Sequence, residues 1–287
     1  MKPILTSSVV FLASALALAP WGRVTGLAAT TADRLRTVYF SAVDGKGAYV
    51  TDLTAADLTV KEGGKDRAID AVKPATAPMQ VSLLVDDGGT GGFQSAVSQF
   101  FQATFGRAEI AVRVLQPQAI KVLDFTKNGD ELRTALGRLG PRGKITPDNE
   151  QVIAGVFDAA KELQQREARR PSIIALTVTG EKALADTADE TLNALQASGA
   201  SLSVVYLTGV DLGKVLGDGP KQSGGVIEQV TGQVVLGPTL KKVADNLLNQ
   251  YVLTYTIPDG VKLNEKLSLS TTRKGVKLLA PAKLPDK

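Results

Sequence analysis

The chain has 287 residues, 44% of them hydrophobic and 22% charged, with a formal net charge of +4. That is enough for one large domain, or a medium one with a smaller partner, in the balance of a folded globular protein. The absence of Cys and His excludes thiol nucleophiles, Ser-His and Cys-His dyads, thiolate or imidazole zinc sites, disulfides and the usual near-neutral acid–base group. Basic residues are not massed in one block and aromatics are only 5%, so nucleic acid is not an expected partner.

Residues 1–29 have the outline of an export signal: Lys2 as a minimal positive region, an apolar stretch from Ile4 to Ala19, and small residues around Gly26, Ala28 and Ala29 for cleavage. The apolar stretch falls short of the roughly 20 residues of a spanning helix. A cleaved leader is therefore expected over a retained anchor, giving a periplasmic or secreted protein with no membrane span in the mature chain. Removing Lys2 and Arg23 leaves 31 basic against 29 acidic residues.

Residues 30–77 read as a β segment. Arg36 to Ala42 alternates partially and meets a turn at Asp44-Gly45, and Leu58 and Val60 precede Glu62-Gly63-Gly64 and Ile69 and Val72. Pro74 and Pro78 close it. Next comes Val81 to Gly92, VSLLVDDGGTGG, a run of Val and Leu broken by two carboxylates and four glycines. It predicts a buried strand of a parallel sheet ending in a loop where ligands bind open α/β sheets.

Phe93, Val97, Phe100, Phe101 and Phe105 then recur at helical spacing. Strands at Glu109–Leu115 and Ala119–Phe125 are joined by three residues, too few for a parallel crossover, so they form an antiparallel hairpin. A helix over Asp130–Leu139 and a loop from Gly140 to Lys144 follow. Thr146-Pro147 opens a helix with an N-cap and a first-turn proline, and Ser172 to Val178 is a buried strand stopped at Thr179-Gly180. Another helix begins at Asp186 or Thr187 and ends at Gly199, and Ser201–Leu207 is a strand. The glycine-rich stretch Gly209–Gly225 predicts a loop, with a short helix at Val226–Val230, a strand at Val234–Leu236 and a helix over Thr239–Gln250. From Tyr251 the period returns to two, through Tyr255, Leu267 and Leu269, then Val276 and Leu278.

The sum is an α/β fold: a doubly wound, mostly parallel sheet with helices on both faces over residues 78–250. A small β unit from the N- and C-terminal segments completes it, with 251–287 packing on 30–77; the alternative is that these strands extend the edges of the main sheet. This order, with TVYFSAVDGKGAYVTDLTAADLTVKEGGKDRAI, VSLLVDDGGTGG, PSIIALTVTG and LNQYVLTYTIP, resembles the von Willebrand factor A (VWA) family, and more narrowly the exported bacterial VWFA-related proteins.

The resemblance implies a metal-ion-dependent adhesion site, in which Mg2+, a hard octahedral ion, takes oxygen ligands and a partner's carboxylate. Its first Asp falls on Asp86. Its two Ser positions fall on Gly88, which has no ligand, and Thr90. Thr146 matches the later Thr, and Thr179 stands in place of the last Asp. Asp86, Thr90 and Thr146 are thus vestigial ligands, and Asp87, Gly88, Gly89 and Thr179 are candidates for a binding surface. Without an ion, Asp86 is expected to cap the amides of the following loop or helix and Thr146 to act as a plain N-cap.

The expected function is a non-catalytic, metal-independent module that binds another protein. The rivals are a Mg2+-dependent adhesin using Asp86, Thr90 and Thr146, an envelope scaffold component that pairs through its edge strands, and a hydrolase using Asp86 and Asp87. The hydrolase is disfavoured because adjacent strand residues face apart.

Overall fold

The computed structural model describes residues 34–143, 150–181 and 184–286. The glycine-ended run forms strand β5 (Met79–Asp86) at the centre of a six-stranded sheet ordered β10-β9-β8-β5-β6-β7, with β6 Ala108–Val114, β7 Ile120–Thr126, β8 Pro171–Thr177, β9 Ser201–Leu207 and β10 Ile227–Val230. β5 pairs in parallel on both sides, Leu83 lying opposite Val112 and Ile174. β7 alone runs antiparallel, since the five residues between Val114 and Ile120 are too few for a parallel crossover.

Both faces of β5 are covered: one is apolar, and the other carries Leu84 with the buried polar residues Ser82 and Asp86. Val81, Leu83 and Val85 pack under α1 (Gln94–Thr104), α2 (Gly129–Arg138) and α6 (Gln233–Leu248), while Leu84 packs with α3 (Glu150–Gln165), α4 (Ala185–Ser198) and α5 (Gly213–Ser223). The fold class is therefore α/β, doubly wound, with one reversed edge strand.

The terminal strands form their own antiparallel sheets and do not extend the main one. β1 (Arg34–Val43) pairs with β11 (Tyr251–Ile257) and β13 (Lys277–Leu279), and β11 pairs with β4 (Ile69–Pro74). A second sheet joins β2 (Leu58–Glu62) to β3 (Lys65–Arg67) and β12 (Leu267–Thr271). Their shared core holds Val38, Val60, Leu253 and Tyr255, with Phe40 stacked on Tyr251 at 5.1 Å between ring centroids.

Four expectations from local pattern are corrected. Gly209–Gly225 contains the helix α5: Val215 and Leu216 are buried, and Gly219 admits the helix onto β9, since a Cβ there would lie 2.8 Å from Leu202. The stretch read as a helix at Val226–Val230 is the edge strand β10, whose short length hid its period. The strand read at Val234–Leu236 is the start of α6, which runs through Pro238; the proline gives up one N–H bond within the helix, and burial of Leu236, Leu240 and Val243 outweighs that. Phe105 falls beyond α1 and is 61% exposed, so the aromatic face ends at Phe101.

Candidate functional site

β5 ends at Asp86, and the chain turns at once through Gly88, Gly89 and Gly91, with φ of 62°, 82° and 75°. These are left-handed values at which side chains are strained. Gly91 also lies against the next loop, where a Cβ would meet the backbone N of Pro141 at 2.7 Å.

Asp86 is wholly buried. Parallel pairing sets it beside Thr177, and its Oδ2 accepts from the Thr177 hydroxyl at 2.7 Å, the Thr179 hydroxyl at 2.5 Å and the Thr179 amide at 3.1 Å. Its Oδ1 is buried with no hydrogen-bond partner among the described residues.

Asp87 faces elsewhere. Its carboxylate accepts from the amides of Gly89 at 3.0 Å and Gly91 at 2.8 Å, and pairs with the Arg142 guanidinium. The Arg142 amide in turn donates to the Gly89 carbonyl at 2.8 Å. The carboxylate that caps the loop is thus Asp87, where Asp86 was expected, because leaving the strand turns the Asp87 side chain back over the glycines. Asp86 and Asp87 share no partner, so they do not form a carboxylate pair.

Thr90 is exposed; its hydroxyl donates to the Asp87 carbonyl at 2.9 Å and accepts from the Gly92 amide at 3.2 Å. Thr146 lies outside the described residues. The structure therefore brings Asp86 and Thr179 together, and holds Asp87, Gly89 and Thr90 in a separate loop network.

Sequence reasoning missed Thr177, Arg142 and Glu181. Thr177 was legible from the register, once β5 and β8 are paired in parallel. Arg142 is a lone cation in a Gly-Pro loop with no local signal. Glu181 is buried and accepts from the amides of Lys214, Val215 and Leu216 at 3.0, 2.9 and 2.7 Å, capping α5. Burial pushes its carboxyl above the ordinary range, the three amides offsetting this only in part.

The described donor set does not fit the Mg2+ implied by the resemblance. Gly88 gives no oxygen, the hydroxyls of Thr90 and Thr179 are spent on Asp87 and Asp86, and Arg142 brings a cation to Asp87. Among the described residues no group of three or more carboxylate-type ligands gathers. Among the described residues of this set what remains is one oxygen, Asp86 Oδ1, for an ion ordinarily held by one or two carboxylates and further oxygen ligands besides its waters.

No protein-family model matches the chain, and no curated protein matches it. Among solved structures it is similar to the SpRpn10 VWA domain, with 10% identity over 57% of this chain and 93% of that one and a TM-score of 0.44. It is also similar to a von Willebrand factor type A protein from Catenulispora acidiphila, with 11% identity over 89% and 74% and a TM-score of 0.44. An aerotolerance-related membrane protein from Bacteroides fragilis gives 12%, 60%, 98% and 0.44. The strand order itself, with β5 central and β7 reversed, is that of a doubly wound α/β sheet.

Proposed function

We propose that this chain is an exported, non-catalytic protein-binding module that meets its partner through the loops at the C-terminal edge of its sheet, without a metal ion. The observation that carries this reading is the closure of Asp86 on Thr177 and Thr179: the carboxylate that would hold an ion is bonded to the protein's own hydroxyls.

The same edge supplies an apolar contact surface. Val234 is 93% exposed, Leu184 78% and Val235 42%, all on segments that leave the C-terminal ends of sheet strands. Gln233, beside Val234, lies against Gly92 of the glycine loop. Clustered exposed aliphatics can form the apolar centre of a protein interface.

Capture of partners from a periplasmic extract by the immobilised chain tests the proposal. Capture should survive EDTA and fall by about tenfold in a Val234→Glu, Val235→Glu variant, since an interface core does not accept buried charge.

One observation favours the rival Mg2+-dependent adhesin: Asp86 Oδ1 is a buried acceptor left open. If EDTA abolishes capture, and calorimetry finds stoichiometric Mg2+ binding that Asp86→Ala removes, the rival is right.

A further inference from the structure

At the opposite edge of the sheet, the starts of β8 and β9 and the ends of α4 and α5 face β1 and residues 281–285 across a cavity of about 240 Å3. Three cations line it, Arg169, Arg170 and Lys283, and no Asp or Glu does.

None of the three is in an ion pair among the described residues, although the Glu265 carboxylate accepts from the wall residue Gln196 at 2.8 Å. Arg170 is 4% exposed, and all its hydrogen-bond acceptors are neutral: the carbonyls of Ala75, Ala77 and Leu247 and the Gln250 Oε1. Burial lowers its guanidinium to about 10. The Arg169 guanidinium, the Lys283 ammonium and the Gln222 side-chain amide, also on the wall, have no hydrogen-bond or ion-pair partner among the described residues.

Three other cations of low exposure are ion-paired, Arg36 with Glu62, Arg113 with Glu162 and Arg142 with Asp87, whereas Arg169 on the cavity rim is exposed. A buried positive charge without a counter-charge is costly. A cavity between two packed parts of a protein is a usual place for a small-molecule site.

We propose that this cavity binds a small, multiply charged anion, a polycarboxylate or a phosphate. Arg169 and Lys283 contact it directly, Gln222 donates to it, and Arg170 supplies a fixed positive field behind them. The site is distinct from the glycine-loop edge, so a small anion and a protein partner can be bound together.

Calorimetric titration of the purified chain with citrate and with inorganic phosphate tests this, at constant ionic strength in sodium chloride and with sucrose as the neutral control. Saturable one-to-one binding of at least one anion is expected, with none for sucrose. The double variant Arg169→Gln, Lys283→Gln touches only side chains that hold nothing in the fold, and should keep the circular dichroism and melting temperature of the parent while binding about tenfold more weakly or less. Binding of citrate alone marks a carboxylate site, of phosphate alone a phosphoryl site, and of both a site that reads charge. If neither anion saturates, or if the double variant binds as the parent does, the proposal is wrong.

Discussion

A single position decides what the head of β5 can do. Thr179 gives Asp86 both its amide and its hydroxyl, so the carboxylate is held by neutral donors, while the neighbouring Asp87 is turned to the glycine loop and Arg142. Thr179→Asp would set two carboxylates against each other in a buried place. Like charges so close disfavour ionisation of one of them, so this variant should be less stable than the parent by about 1–3 kcal/mol. Divalent ions should restore much of that loss: Mg2+ is expected to raise the melting temperature of Thr179→Asp and leave that of the parent unchanged. A parent that responds equally to Mg2+ in the same thermal scan would show that the ion already has its ligands. Arg142 offers a second probe. Removing it in Arg142→Ala leaves Asp87 buried with only the two glycine amides, which should cost about 2–3 kcal/mol in urea unfolding.

Among the elements, those whose burial repeats with a clean period were legible. Val81 to Val85, apolar but for Ser82, and Ile173 to Leu176, apolar throughout, form the central strands; Val152, Val156 and Leu163 mark the inner face of α3. The failures cluster where tertiary packing overrides local propensity. α5 carries Gly213, Gly217, Gly219 and Pro220 and is a helix because Val215 and Leu216 are buried and Glu181, distant in sequence, satisfies its first amides. That dependence has a pH signature. The folded chain keeps the Glu181 proton at pH values where the unfolded chain, near 4.5, has released it, so its contribution to stability declines as pH rises from 4.5 through the raised folded pKa. Glu181→Gln removes this titration. Urea unfolding between about pH 4 and about pH 7 should show the parent losing stability relative to Glu181→Gln as pH rises; a constant difference would mean the carboxyl is not raised.

For the whole molecule, the sequence shows which strands exist at the two ends but not what joins them to the α/β body, because that junction is made by side chains without a pattern. The alternation of Tyr251, Leu253 and Tyr255 was visible; that Tyr255 and Arg36 meet Glu62 in a buried cluster was not. Nor was the part played by Arg170, a cation in a short basic run before a strand. Its guanidinium reaches the Ala75 and Ala77 carbonyls on the way into β5, the Leu247 carbonyl at the end of α6, and Gln250 before β11. Both crossings between the α/β body and the β unit are thus tied to the first turn of β8. A planar fork with five donors can serve acceptors in several directions, and an ammonium on a flexible stem cannot. Arg170→Lys keeps the charge and should still cost about 3 kcal/mol, leaving buried carbonyls unpaired, which in a chain of this size is a fall of roughly 6–10 °C in melting temperature. Arg133→Lys, at an exposed pair with Asp130, is the control and should stay within about 0.5 kcal/mol of the parent. Equal effects of the two substitutions would mean that hydrophobic packing alone holds the two parts together.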